Sequence, residues 1–371
     1  MDVTAETITG MSGNMTNDTD MVNKVSTETI TLLSILFTLI CTTGLVGNAL
    51  VVFVILVDRK MRKSSTNLFI MNLAVADFVI MLFGIPEIVM FMMDRGWTLG
   101  PEMCKFNRYV MTSSLYASVL TLLSVCVERF IAIIQPIKAH ILCGRKKVMV
   151  AMGILWPIAL LCGLPTVLFN REMMQKPGKA YCLTILPGDR QLSMKRYKAF
   201  KVTENIIFYI VPVVLQIVLY TVVAKRLFAG IEELHAQNQT GQQNGGKPEK
   251  TSEAVKARKS VVIMLIACVI VYVISFSPQA VLVYYDMISE KPFHMSWPFF
   301  VFVMIMANVN SAANPVFYSI FSQNFRKRFK YYVCFSCYRA AGYRYARGIS
   351  DFDSRTSRRP PSTSKTVVSS V

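Results

Sequence analysis

Charge is what this 371-residue chain has least of. Asp, Glu, Lys and Arg make up 17% of it, against 53% hydrophobic residues, where a soluble protein carries roughly 25% charge. The deficit is concentrated in seven nearly charge-free runs, at 29–57, 64–86, 109–127, 148–170, 205–224, 260–285 and 292–325. Each reaches the roughly 20 residues a membrane-crossing helix needs. Open sheet cannot cross lipid, so the expected fold is an all-α membrane protein, a single bundle of seven transmembrane helices. Histidine is also scarce: His140, His235 and His294 all lie away from span centres, which argues against a membrane-embedded metal centre. No inverted repeat is visible, which argues against a transporter. The first 28 residues lack a basic cluster followed by an apolar core, so no cleavable signal peptide is expected and the first span should act as the insertion signal.

An odd number of spans puts the two ends on opposite sides, and Lys and Arg choose between them. With the N-terminus outside, 27 of the 40 basic residues face inward, and the outer segments carry 13 residues of each sign. That is the positive-inside pattern, and it reads the excess charge as topology and anionic lipid rather than nucleic-acid binding. The outer tail carries two glycosylation sequons, at Asn14 and Asn17. Of nine cysteines, Cys41, Cys126, Cys162 and Cys268 fall within spans, and Cys143, Cys334 and Cys337 face inward. Only Cys104 and Cys182 lie outside, which in an oxidising compartment implies one disulfide between them.

The chain divides into an outer tail (1–28), the bundle (29–321), an amphipathic segment (322–338) and a Ser/Thr/Arg-rich inner tail (339–371) expected to be disordered. Segment 228–256 reads as a flexible linker. Phe325 and Phe329 stand four apart among basic residues, a spacing that suits a short helix lying on the inner leaflet, and Cys334 and Cys337 offer palmitoylation sites beyond it. Ser354, Thr356, Ser357, Ser362, Thr363 and Ser364 are candidate phosphorylation sites. The terminal Ser369-Ser-Val371 resembles a ligand for a scaffold that captures a C-terminal strand.

Arg129 closes the third apolar run, between Glu128 and Phe130, and a guanidinium there must be paired, hydrated or functional. Glu128-Arg-Phe130 is one of an ordered set with Gly47-Asn48, Leu73-Ala-Val-Ala-Asp77, Cys104, Trp156, Pro212, Tyr220, Pro278 and Asn314-Pro-Val-Phe-Tyr318. Taken in order, these residues resemble class A (rhodopsin-like) G-protein-coupled receptors over roughly residues 28–335. The resemblance implies coupling to a heterotrimeric G protein through Glu128, Arg129 and Phe130, with Tyr220, Phe276, Pro278, Asn314, Pro315 and Tyr318 serving activation. It also implies arrestin and a receptor kinase as partners, and no enzymatic activity. A sodium pocket is expected at Asp77, Ser118, Asn310, Ser311 and Asn314. The alternative there is a protonated structural acid sharing hydrogen bonds with Asn48.

Two departures stand out. The family's sixth span usually reads Phe-x-x-Cys-Trp-x-Pro, and this chain reads Tyr272-Val-Ile-Ser-Phe276-Ser-Pro278. Arg258 stands where many relatives place an acid facing the third-span arginine, so ligand-independent signalling is expected. Span seven has no Lys for a retinal Schiff base, and Met111 replaces the aspartate of amine receptors. The stretch 128–143 resembles peptide receptors of the thyrotropin-releasing-hormone, neurotensin and neuromedin type. The expected ligand is an extracellular peptide, with a lipid or small molecule as the alternative and a seven-span transporter or membrane enzyme further off. Pocket walls are expected, by position, at Glu87, Arg108, Met111, Thr112, Gln279, Val283, Asp286, Phe300, Met304 and Asn308. Asp94 and Glu290 also face outward, and the basic loop 170–204 is expected to form a hairpin lid.

Overall fold

The computed structural model describes residues 25–176, 178–239, 248–289 and 296–333. Asn14, Asn17, Glu290, Cys334, Cys337 and the tail from 339 lie outside the described residues, as does the Arg258 side chain. Among the described residues seven helices are long and apolar enough to cross a membrane: spans 1 to 7 at Thr27–Val57, Ser65–Met92, Pro101–Ile134, Arg145–Phe169, Arg190–Leu227, Lys259–Ile288 and Trp297–Phe321. Leu32, Leu39, Ile154, Leu161, Val218 and Ile274 are exposed, as expected of helices that are apolar all round and face lipid. Caps sit where the helices begin. Ser26 accepts from the Thr29 amide at 3.2 Å, and Asp189 accepts from the Leu192 amide at 2.8 Å.

Polar side chains stitch the bundle together. The Trp156 indole donates to Asn72 at 2.8 Å, Asn72 donates to Thr121 at 2.8 Å, and Thr121 donates to the Ala117 carbonyl at 2.6 Å. This run joins spans 4, 2 and 3. Prolines open gaps, because each removes the amide that would bond the carbonyl four residues earlier. In span 7 Pro315 orphans the Ser311 carbonyl, and Asn48 of span 1 donates to it at 3.0 Å. In span 6 Pro278 orphans the Ile274 carbonyl, and the Ser277 hydroxyl donates to it at 3.1 Å. In span 5 Pro212 follows a π-helical turn at Ile206–Ile210 and orphans the Phe208 carbonyl, which accepts from Tyr272 of span 6 at 2.5 Å.

The expected lid is partly a hairpin. Strands β1 (Asn170–Lys176) and β2 (Lys179–Thr184) pair antiparallel, Glu172 opposite Cys182. Cys182 is joined to Cys104 by a disulfide. Gly96, at φ +68°, lies against the hairpin, where a Cβ would come within 2.5 Å of the Ala180 carbonyl; the Trp97 amide donates to that same oxygen at 2.6 Å. Most of the rest of the expected loop is helical. Arg190–Asn205 is a helix that continues into span 5, because Asp189 caps it and no Pro or Gly interrupts it. The linker is also shorter than its composition implies, since helix runs to Gln239 and resumes at Pro248. The amphipathic segment forms its own helix, Gln323–Val333.

Glycine sets the approach of spans 1 and 7. A Cβ on Gly47 would sit 2.8 and 3.0 Å from the Pro315 ring, which cannot rotate away. On Gly153 it would meet nothing within 4 Å. Gly47→Ala should therefore cost about 1–3 kcal/mol by overpacking and lower the apparent Tm of purified protein by roughly 5 °C. Gly153→Ala should leave Tm unchanged or raise it, since it relieves only a helix-interior glycine. Equal melting of the two variants would refute this packing account.

Candidate functional site

Span 3 runs the length of the bundle and presents functional side chains at three levels. At the disulfide end, Arg108 lies four residues below Cys104. It forms an ion pair with Glu87 of span 2 and donates to the Cys182 carbonyl at 3.4 Å, tying span 2 to the hairpin. Lys179 of the hairpin pairs with Asp94 in the same way. Burial, then the Asp94 carboxylate, push the Tyr181 phenol above its ordinary value.

Eight residues below Arg108, a cleft opens between spans 3, 5 and 6. Its lining includes Tyr116, Lys201, Glu204, Phe208, Phe276 and Gln279. Glu204 accepts from the Tyr116 hydroxyl at 2.6 Å and from Lys201 at 2.8 Å, so both carboxylate oxygens are engaged. Phe208 stacks on Tyr116 with ring centroids 3.6 Å apart. A charge pair over an aromatic floor can orient a ligand by both shape and polarity.

The expected pocket walls separate into groups. Gln279 and Val283 line this cleft. Glu87 and Arg108 pair with each other, while Met111 and Asn308 flank the space left by Gly84, whose missing Cβ would lie 3.4 Å from Met111 and 3.7 Å from Asn308. Phe300 and Met304 pack instead among spans 1, 2 and 7, with Phe300 4.7 Å from Phe91. Thr112 is half-buried and Asp286 exposed, and neither lines the cleft. Reading 170–204 as a loop hid Lys201 and Glu204, although their i, i+3 spacing of opposite charges is a helical signal. Tyr116 carried no signal in its own span.

At mid-height Asp77 is fully buried. Its Oδ1 accepts from Ser118 and Ser311, each at 3.1 Å, and its Oδ2 accepts from Asn314 at 2.7 Å. Asn48 donates to Gly44 and Ser311 carbonyls rather than to Asp77, and its own Oδ1 has no partner among the described residues. Asn310 is buried beside this set without a hydrogen bond to Asp77 among the described residues. The carboxylate and the two hydroxyl oxygens on it are hard donors of the kind a small cation takes.

At the opposite end, Arg129 donates to both oxygens of Glu128 at 2.6 Å and also bonds Thr66 of span 2. Glu128 is buried, and Thr66 is itself 3.3 Å from both of its carboxylate oxygens. The guanidinium is therefore satisfied locally, on its own helix and on span 2, and Phe130 beside it is half-buried. Tyr220 and Tyr318 are buried in spans 5 and 7, and the Ser260 hydroxyl bonds the Phe321 carbonyl at 2.6 Å, joining spans 6 and 7.

Residues 47–318 match the family model for the seven-transmembrane receptors of the rhodopsin family. Neuropeptide receptor 15 of Caenorhabditis elegans is 32% identical over 302 residues, 79% of this chain and 87% of that protein. The thyrotropin-releasing hormone receptor of Gallus gallus is 30% identical, covering 82% of this chain and 78% of its own length. Galanin receptor 2b of Danio rerio is 29% identical, covering 82% and 75%. The match begins at Gly47, ends at Tyr318, and encloses the cleft, the Asp77 cluster and the Arg129 site. This multi-pass membrane protein belongs to the rhodopsin family of seven-transmembrane receptors and is a receptor rather than an enzyme.

Proposed function

We propose that the chain is a plasma-membrane receptor, N-terminus outside, that binds an extracellular peptide at the disulfide end and signals to a heterotrimeric G protein at the Arg129 end. The observation that carries the ligand class is a set of three unmet acceptors toward the mouth. Glu87 Oε2, Asn205 Oδ1 and Asn308 Oδ1 are buried without a donor among the described residues, while the charges around them are paired. Each such oxygen costs about 1–3 kcal/mol in desolvation. A peptide brings N–H donors in number and recovers that cost. A purely apolar ligand leaves it standing. The names of the relatives, receptors for neuropeptides, galanin and thyrotropin-releasing hormone, point the same way.

Binding shifts an equilibrium between two arrangements that both exist without ligand. In the resting one Arg129 is held by Glu128 and Thr66. In the signalling one the inner end of span 6 moves outward and Arg129 is released to the G protein. A sodium ion held by Asp77, Ser118, Ser311 and the free Asn48 oxygen would add positive charge beside the carboxylate and favour the resting arrangement. A receptor kinase and arrestin act on the Ser/Thr-rich tail, and a strand-capturing scaffold on its last residues.

In cells expressing the full chain, a peptide library read out by calcium and cyclic AMP should yield agonists whose potency falls at least tenfold in Glu87→Gln, since an engaged carboxylate oxygen is worth about 1.5–3 kcal/mol. Agonism by lipids, with peptides silent at normal surface expression, would replace the peptide reading. Exchanging sodium for choline should raise ligand-independent signalling on the order of fivefold, a typical coupling between two sites. It should also lower the Tm of purified receptor, because a ligand of the folded state stabilises it. Asp77→Asn should abolish both differences; a sodium-dependent Tm that survives it would move the ion elsewhere.

A further inference from the structure

Spans 5 and 6 are joined by two tyrosines that each reach across to the other helix. Tyr272 of span 6 donates to the Phe208 carbonyl of span 5 at 2.5 Å, and Tyr209 of span 5 donates to the Val273 carbonyl of span 6 at 3.1 Å. Their ring centroids lie 5.7 Å apart. One acceptor, the Phe208 carbonyl, is orphaned by a proline, and the other, the Val273 carbonyl, lies next to one that is. Phe208 lies in the π turn, four residues before Pro212, so its own helix offers it no α-helical donor. Val273 adjoins Ile274, whose carbonyl is orphaned by Pro278, so Tyr209 bonds to the turn that the kink opens.

We propose that this reciprocal tyrosine clasp holds span 6 in its resting position, and that Tyr209 and Tyr272 are the positioning residues through which the ligand cleft acts on it. The proposal rests on the receptor reading above. Three observations support it. Both tyrosines line the cleft together with Phe208 and Phe276, and the Tyr272 ring is 5.2 Å from Phe276, so a ligand group reaching the floor touches the clasp. Tyr272 is 2% exposed, so no bulk water competes for its bond, and breaking it strands a carbonyl in apolar surroundings. Finally, Tyr272 and Val273 lie six and five residues from Pro278, on the segment that must turn against span 5 if the inner half of span 6 pivots at the proline. The bonds belong to one arrangement and therefore bias the equilibrium toward it. Phenylalanine at 272 would preserve the ring packing, so the hydroxyl is the atom to test.

The experiment uses the full-length receptor with Tyr272→Phe, Tyr209→Phe, and Pro212→Ala, which returns an amide able to pair with the Phe208 carbonyl. Signalling without ligand is read on a panel of G-protein reporters at matched surface density. In parallel, purified receptor carrying bimane at Val261→Cys reports outward movement of span 6 without any G protein. Tyr272→Phe should raise basal signalling about fivefold and Tyr209→Phe by roughly two- to threefold, as expected for the loss of one net hydrogen bond each, with matching bimane shifts. On the Pro212→Ala background Tyr272→Phe should change either readout by less than about twofold, because the carbonyl now has a second donor. Unchanged or lowered values in both Tyr→Phe variants would overturn the clasp, as would a full effect of Tyr272→Phe in Pro212→Ala. A bimane shift with every reporter silent would uphold the clasp and reject G-protein coupling instead.

Discussion

Within lipid no water reaches the backbone, so every carbonyl a helix fails to bond must find a partner inside the bundle. Much of the functional architecture follows from that constraint at three prolines. Pro315, Pro278 and Pro212 orphan the carbonyls of Ser311, Ile274 and Phe208, and each is taken by a side chain: Asn48, Ser277 and Tyr272. Two of the three repairs cross between helices. A kink that must be closed by a neighbour becomes a tie to that neighbour, and a tie made of one hydrogen bond can exchange with another at modest cost. The weak points of these helices are thus also their joints.

Span 3 turns those joints into one device. It carries Arg108 at the mouth, Tyr116 beneath the cleft, Ser118 on Asp77 and Arg129 at the far end. Spans 2 and 5 each meet it through a polar contact at one or more of those levels, and span 7 reaches it through Asp77, which Ser118 and Ser311 both bond. Its charges are satisfied by near neighbours. Arg108 uses Glu87 and a lid carbonyl, and Arg129 uses the adjacent Glu128 and Thr66. Buried ions in such a setting are costly unless fully bonded. At the mouth, oxygens of Glu87, Asn205 and Asn308 are buried without a donor among the described residues. A buried acceptor without a donor costs free energy that a ligand carrying N–H groups recovers.

Much of this was legible in the sequence because membrane physics writes it there in one dimension. Span number follows from where charge is absent and the disulfide from which two cysteines remain outside, whereas the neighbours of Asp77 were expected from the resemblance to rhodopsin-like receptors. What escaped depends on register between helices. Tyr272 is visible only as a departure from a phenylalanine; that its hydroxyl lands on the carbonyl freed by Pro212, 60 residues away, is a property of how spans 5 and 6 align. The Lys201–Glu204 pair was hidden differently. A segment dense in Lys and Arg reads as a solvated loop, yet the cap at Asp189 starts a helix there. That helix turns two of its charges toward Tyr116 and the cleft.

The position of the clasp along span 6 gives it leverage without great strength. At 1.5 Å per residue, Tyr272 lies about 9 Å from Pro278 and Lys259 about 28 Å, so a swing about the proline moves the tyrosine about one third as far as the inner end. Hydrogen bonds weaken steeply once stretched by about 1 Å, which corresponds to roughly 3 Å at Lys259. The clasp therefore resists the first part of any outward motion and contributes little after it breaks. An ion pair at the inner end would behave differently, weakening gradually over the whole excursion because Coulomb attraction falls slowly with distance. Arg258 stands where an acid would be needed for such a pair with Arg129. A short-range latch near the pivot then makes the transition more switch-like, since its resistance is lost before the inner face has opened enough to admit a partner.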